Sequence, residues 1–250
     1  MKYGKQWMAP FLLVSFLLII WQVVGMFVGL TFILPTPIQV VVRLWDLKEI
    51  LFFVHLPATL LIIITGLTIS IIFGVGLAVW MNFSKIVEKA FYPIIVASQT
   101  IPIIALAPIF VLWFGYSIWS KVAVTLIITF FPITVSTFDG LRSSSKDLRE
   151  LLLTMGATKR DIFFKLNVPS ALPFFYSGLK VAVTLSVIGA AIGEWLGAQK
   201  GLGYFSRRMM TQFDGAGVFA PIVLLSAIGI GLFLAVVLLE KITLHWRKTE

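Results

Sequence analysis

Residues 58–82 read ATLLIIITGLTISIIFGVGLAVWMN, and no side chain among them carries a charge. A helix needs roughly 20 apolar residues to cross the hydrocarbon core of a bilayer. This stretch is long enough. Five further runs of the same kind stand along the chain, and the predicted spans are 9–32, 58–82, 91–114, 119–140, 172–197 and 218–240. They occupy most of the 250 residues, so no separate soluble domain of ordinary size fits beside them, and 1–250 reads as a single membrane domain. The composition agrees: 12% of residues are charged, against about 25% in a soluble domain. The expected fold class is therefore an all-α membrane protein with six transmembrane helices.

There is no cysteine, which removes disulfides, thiolate metal sites and a lipid-anchored N-terminal Cys. The net charge of +9 would suit nucleic acid in a soluble protein. In a membrane chain it is better explained by Lys and Arg gathering in cytoplasmic loops, and no nucleic-acid partner is expected. Lys2 and Lys5 precede an apolar run from Met8 to Ile33, longer than a signal-peptide core and without a clear small-x-small cleavage site. The run reads as a retained first span. Six crossings put both termini on one side. With that side cytoplasmic, the inner segments hold Lys2, Lys5, Lys85, Lys89, Arg142, Lys146, Arg149, Lys159, Arg160, Lys165, Lys241, Arg247 and Lys248, 13 in all. The outer segments hold six, Arg43, Lys48, Lys121, Lys200, Arg207 and Arg208, while Lys180 snorkels from the fifth span. The bias favours N-in, C-in.

Smaller signals mark packing and surfaces. Gly66, Ser70 and Gly74 in the second span, and Gly178, Ala182, Ser186 and Ala190 in the fifth, recur every four residues. Small residues at this spacing let helix backbones approach closely. The fifth-span row serves either packing within one subunit or a subunit interface or path. Ile33-Leu34-Pro35-Thr36-Pro37 is an extended break, and 38–50 is an amphipathic segment suited to the interface. Trp7, Trp21, Trp45, Trp119 and Trp246 read as interfacial anchors.

The segment 141–171 is longer than a connection requires and reads as two short helices around a tight turn. Ser144 with Asp147, and Thr158 with Asp161, stand at capping-box spacing. Leu148, Leu151, Leu152 and Met155 fall on one helical face. Gly156 follows, where a left-handed C-terminal turn calls for glycine. Ile162, Phe163 and Leu166 form a second apolar face, and Pro169 is expected to stop that helix. A basic knob with apolar faces suits docking into a groove on a soluble partner. A loop packed on itself at the membrane surface is the alternative these residues leave open.

Glu150, Gly156, Leu166, Val168 and Pro169 keep the spacing of a known loop: Glu-Ala-Ala, three residues, Gly, nine residues, Ile-x-Leu-Pro. In that respect the chain resembles the permeases of bacterial ATP-binding-cassette importers, with Leu151 and Leu152 in place of the two alanines and Leu166 and Val168 in place of Ile and Leu. The resemblance runs along nearly the whole chain. It narrows to the nitrate, sulfonate, taurine and thiamine-precursor branch through Ile33–Pro37, Gln99-Thr100-Ile101-Pro102, Ala105-Leu106-Ala107-Pro108, Trp113-Phe114-Gly115, Phe131-Pro132-Ile133, Gly193-Glu194-Trp195-Leu196-Gly197-Ala198 and Gly201-Leu202-Gly203-Tyr204. It implies the type I importer permease fold with cytoplasmic coupling helices. Glu150, Leu151, Leu152, Gly156, Ala157, Leu166 and Pro169 would then make the element that fits a cleft on the ATPase. It also implies the partners: a cytoplasmic ABC ATPase dimer, a second permease copy in a homodimer, and an extracytoplasmic solute-binding protein. The location would be the bacterial inner membrane. ATP would be bound by the partner, since the chain has no Gly-x4-Gly-Lys-Ser/Thr loop, and no cofactor or metal is expected here. Transport would proceed by alternating access. Similarity around Ser206-Arg207-Arg208-Met209-Met210 suggests a thiamine pyrimidine precursor such as hydroxymethylpyrimidine as solute, with aliphatic sulfonate, taurine and nitrate as alternatives.

Pro93, Pro102 and Pro108 interrupt the third span. Backbone carbonyls freed at membrane depth are tolerated where they are buried or line a cavity. Gln99, Thr100 and Pro102 are therefore the candidates for part of the solute path, with simple kinked packing as the alternative these residues leave open. Glu194 is an acid near the outer end of a span, a costly placement that is often functional. It either lines the gate and path or orders the neighbouring loop. His55 and His245 lack partners at metal-ligand spacing and are given no chemistry. Arg207, Arg208 and Asp214 stand on the outer side, to meet a binding protein or simply to be solvated. A stand-alone secondary carrier would show inverted repeats, and none is evident. An intramembrane enzyme would need paired acids or a nucleophile and base, and Asp139 and Glu194 fall at opposite membrane faces.

Overall fold

The computed structural model describes residues 3–245. Lys2, Trp246, Arg247 and Lys248 lie outside the described residues, as do the side chains of Lys5 and Trp7. Among the described residues the regular secondary structure is all helical, with no strand. Its helices are α1 (Tyr3–Val28), α2 (Pro37–Asp46), α3 (Lys48–Phe83), α4 (Lys85–Ser98), α5 (Ile103–Phe114), α6 (Ile118–Arg142), α7 (Lys146–Thr154), α8 (Lys159–Gly197), α9 (Leu202–Thr211) and α10 (Gly215–Thr243). Helices α1, α3, α6, α8 and α10 are each long and apolar enough to cross a membrane, and the pair α4–α5, bent by 103°, makes a sixth candidate if it counts as one broken span.

The first helix ends earlier than the apolar run does. Gly29 has φ +67°, a left-handed turn that ends the helix at Val28 rather than at residue 32. The break that follows is pinned by the indole of Trp21, which donates to the Pro35 carbonyl at 3.0 Å. Thr36 then caps α2 reciprocally with Gln39. Val40 on α2 is buried, while Ile38, Val41, Val42 and Trp45 are exposed, an apolar outer face suited to lipid.

The core is α6 held between α3 and α8. The small-residue rows make it possible. A Cβ on Gly178 would stand 2.5 Å from the Pro132 carbonyl oxygen, one on Gly66 2.7 Å from Thr125, and one on Gly74 2.9 Å from Thr134. Ser70 and Thr129 share a buried hydrogen bond of 2.6 Å across the same seam. Gly178, Ala182, Ser186 and Ala190 are all buried within the one chain, so this row packs the subunit and is not its interface or path.

Two prolines behave differently from expectation. Pro169 does not stop a helix: the run continues unbroken to Gly197, with one π-helical turn at Phe163–Asn167. Leu51–His55 forms the same turn ahead of Pro57. Proline removes a donor and its ring strikes the carbonyl four residues back. Widening the helix just upstream, with Val168 N–H reaching Phe163 O and Leu56 N–H reaching Leu51 O, moves that carbonyl aside. Pro102, by contrast, is extended and opens α5, so the third span is a sharp bend and not a kinked rod. Ile101, being next to a proline, is pushed out of helical conformation.

Three ion pairs join segments that a six-crossing path puts at the same end of the molecule: Arg43 with Asp214 at 2.7 Å, Lys180 with Glu240 at 2.9 Å, and Arg142 with Glu88.

Candidate functional site

The loop between α6 and α8 is built from its caps. Thr158 and Asp161 form a reciprocal box, the Asp161 carboxylate accepting from the Thr158 N–H at 3.1 Å and from its hydroxyl at 2.6 Å. At the other end of the turn, Gly156 has φ +80°. Its N–H donates to Leu153 O and the Ala157 N–H to Leu152 O, the paired bonds of a Schellman turn. The expected Ser144–Asp147 box is absent. Ser145 is the N-cap and its side chain makes no capping bond, while the Ser144 hydroxyl donates to Asn167 Oδ1 at 3.3 Å instead.

The two apolar faces part company. No residue of α7 is buried, and Leu148, Leu151, Leu153 and Met155 are between 51% and 74% exposed. Glu150 is exposed and Leu152 and Ala157 are half-buried. Ile162, Phe163 and Leu166, on the other hand, are buried, and Phe163 packs with Leu141, Ala171, Val79 and Val168. Only the first face is open to another molecule; Leu166 and Pro169 belong to the root that fixes the knob to the spans. That root is tied on both sides, by Arg142 to Glu88 and by Ser144 to Asn167.

At the opposite end, Glu194 is fully buried. Its carboxylate accepts from the Thr59 hydroxyl at 2.7 Å and from the Gly203 N–H at 2.7 Å. Thr59 also accepts from the Leu202 N–H at 2.8 Å, and His55 Nδ1 from the Gly201 N–H at 3.1 Å. Gly201 has φ +125°, and a Cβ there would overlap the Glu194 carboxylate. The acid holds the 198–204 loop and the start of α9 through backbone bonds. Sequence reasoning missed Thr59 and His55 as its companions: His55 falls just ahead of the predicted span 58–82, and only the longer helix of the structure sets it one turn before Thr59.

Gln99, Thr100 and Pro102 lie exposed at the α4–α5 bend, where the Thr100 hydroxyl donates back to Ala97 O at 2.7 Å. A cleft of about 640 Å³ opens beside them, bounded by Ile104, Thr184, Ile188, Trp195, Ser206 and Ser226 among others. Neither Glu194 nor Gln99, Thr100 or Pro102 lines it; their neighbours Trp195 and Ile104 do. Arg207 donates to the Trp195 carbonyl, and Asp214 caps α10 at the Gly217 N–H besides pairing with Arg43. Among the described residues no group of His, Asp and Glu could hold a metal ion.

Comparison with known proteins places this architecture. The family model described as "Binding-protein-dependent transport system inner membrane component" matches residues 70–243. The formylaminopyrimidine transport permease protein of Halalkalibacterium halodurans is 60% identical over 250 residues, all of both chains. A riboflavin transport system permease protein of Chloroflexus aurantiacus is 33% identical, covering 92% of this chain and 87% of its own. A putative aliphatic sulfonates transport permease protein of Bacillus subtilis is 30% identical over 99% of this chain and 90% of its own. These matches set the chain among ATP-driven importers, not stand-alone carriers or intramembrane enzymes, with an ATPase and a binding protein as the partners such a subunit works with. The chain belongs to the binding-protein-dependent inner-membrane component family, the non-catalytic permease subunits of ATP-binding-cassette importers in the bacterial inner membrane.

Proposed function

We propose that this permease carries a small substituted pyrimidine, of the kind used as a thiamine precursor, into the cell. The observation that carries this reading is the 60% identity, over the full length of both chains, with a formylaminopyrimidine transport permease. The cleft beside the bend supports it. None of its lining side chains is ionisable, its wall is almost wholly apolar, and Trp195 adds an aromatic face. Such a lining suits an uncharged heteroaromatic ring better than a sulfonate or nitrate anion. Hydroxymethylpyrimidine and formylaminopyrimidine share that ring.

The working unit in this reading is a homodimer, with both termini of each copy cytoplasmic, as the 13-to-6 charge bias favours. Glu150, Leu151, Leu152, Gly156 and Ala157 on and after α7 dock into the ATPase, and Leu166 and Pro169 carry the movement into α8. Gln99, Thr100 and Pro102 edge the path at the bend. Glu194 governs the outer end by holding the 198–204 loop. The test is uptake by vesicles holding the permease with its own ATPase and binding protein. ATP-dependent uptake of labelled formylaminopyrimidine or hydroxymethylpyrimidine, unaffected by excess taurine or nitrate, is expected. Uptake of a sulfonate or nitrate with none of either pyrimidine contradicts the assignment.

A further inference from the structure

A second cavity, of about 450 Å³, lies at the end of the molecule that carries α7, between the last turn of α3, the start of α4, the end of α6 and the start of α7. Four cationic side chains line it, Lys85, Arg142, Lys146 and Arg149, with Glu88 as the carboxylate among its lining residues. Glu88 is taken by Arg142. Among the described residues no carboxylate stands within ion-pair distance of Lys85, Lys146 or Arg149. The cavity therefore gathers three positive charges that no ion pair ties down, with Asp147 and Glu150 as the acidic neighbours of Lys146 and Arg149 along α7. Like charges lining one cavity repel, and an anion with several acceptor oxygens relieves the repulsion by charge-assisted hydrogen bonds.

The rim decides what kind of anion. Phe83 lines the cavity and is 63% exposed, and the adjacent Ile86 is 82% exposed. Both sit where the apolar run of α3 gives way to the charged start of α4, the level at which a bilayer changes from acyl chains to headgroups. A soluble anion would have no use for such a rim; a molecule with a phosphate head and an apolar tail fits both halves. Basic pockets between membrane helices on the cytoplasmic side bind anionic headgroups for this reason. We infer that the cavity holds the phosphate of an anionic phospholipid, seated against Lys85, Lys146 and Arg149 with its chains along Phe83 and Ile86. Lys146 and Arg149 lie on α7, so a seated lipid braces the knob against the spans. That consequence, unlike the site itself, rests on the coupling role proposed for α7.

The test uses the purified permease with its ATPase, relipidated with phosphatidylglycerol or with phosphatidylcholine and read by native mass spectrometry for lipid retained per permease chain. Phosphatidylglycerol is expected to stay bound and phosphatidylcholine to be lost. A cation near the membrane surface contributes about fivefold to anionic-lipid binding, so the triple variant Lys85→Gln, Lys146→Gln, Arg149→Gln is expected to retain about a hundredfold less. Lys85→Arg, Lys146→Arg, Arg149→Lys keeps the charges and is expected to bind as the wild type does, which separates lost charge from lost folding. Equal retention of the two lipids by the wild-type complex overturns the site, as does equal retention of phosphatidylglycerol by the wild type and the Gln variant. Displacement of phosphatidylglycerol by equimolar inorganic phosphate assigns the cations to a soluble anion and overturns the lipid. Loss of the ATPase from the Gln variant with lipid retention unchanged assigns them to the partner protein, and also overturns it. No solute enters this measurement, so failure of the pyrimidine reading leaves it standing.

Discussion

Gly156 meets nothing within 4 Å of where a Cβ would stand, so the demand for glycine there comes from the backbone alone, at φ +80°. A left-handed conformation costs an ordinary L-residue about 1–2 kcal/mol, whereas asparagine tolerates it. Gly156→Val is therefore expected to weaken co-purification of the ATPase by about tenfold, at about 1.4 kcal/mol per decade, while Gly156→Asn retains the complex. Equal losses in the two variants would mean that side-chain volume, not backbone strain, is limiting. Glu194 poses the opposite case, a residue defined by its partners. Glu194→Leu leaves the Gly203 N–H without its acceptor and the Thr59 hydroxyl with the His55 carbonyl at 3.3 Å alone. A buried donor left unpaired costs about 1–3 kcal/mol. In detergent, Glu194→Leu is expected to lower the unfolding temperature more than Thr59→Val, and the double variant to show a coupling of about 0.5–3 kcal/mol. Additive losses would contradict a direct bond. The acid itself was legible in the sequence as a costly charge. Thr59 was not, because it stands 135 residues away and no local pattern points across that distance.

At the scale of elements, close packing of α8 on α6 makes a sharp demand. Gly178→Ala forces a methyl into the Pro132 carbonyl and the Ser136 side chain, and overpacking of this kind costs about 1–3 kcal/mol. Gly231→Ala on α10 meets open space and is expected to be neutral or stabilising within about 1 kcal/mol. Thermal unfolding of the two purified variants separates them; a tolerant Gly178 would mean that α6 and α8 slide freely. The glycine and alanine rows were visible in the sequence because a four-residue spacing is a local property. The fate of the prolines was not. Pro169 and Pro102 look alike in a sequence, yet one sits in a continuous helix behind a π-helical turn and the other opens a bend of 103°. The difference lies in the preceding turn: Phe52–Pro57 and Phe164–Pro169 share a pattern, Phe-x-x-(His/Asn)-(Leu/Val)-Pro, that Gln99–Pro102 lacks. The loop was half legible in the same way. The Thr158 cap and the Gly156 turn follow from local spacing. Which apolar face turns inward depends on Phe163 reaching Leu141 and Val79, contacts that come from other spans.

For the whole molecule, the account depends on one end of the bundle carrying an exposed apolar helix on a braced root and the other end being closed by Glu194. The three ion pairs tie together segments that a six-crossing path puts at one end, and the proposed orientation, with the end bearing α7 in the cytoplasm, rests on the positive-charge bias of the sequence. The chain has no cysteine, so one introduced at Leu151, exposed in the middle of α7, is an unambiguous reporter. The decisive measurement gives Leu151→Cys a membrane-impermeant thiol reagent in intact right-side-out vesicles and in inverted ones, then a short bifunctional crosslinker in the presence of the ATPase. Labelling only in inverted vesicles, with a covalent adduct to the ATPase whose yield changes with ATP, is the expected result. Labelling from the outside of sealed right-side-out vesicles would contradict the account, because no motor in the cytoplasm could then reach the helix on which the coupling depends.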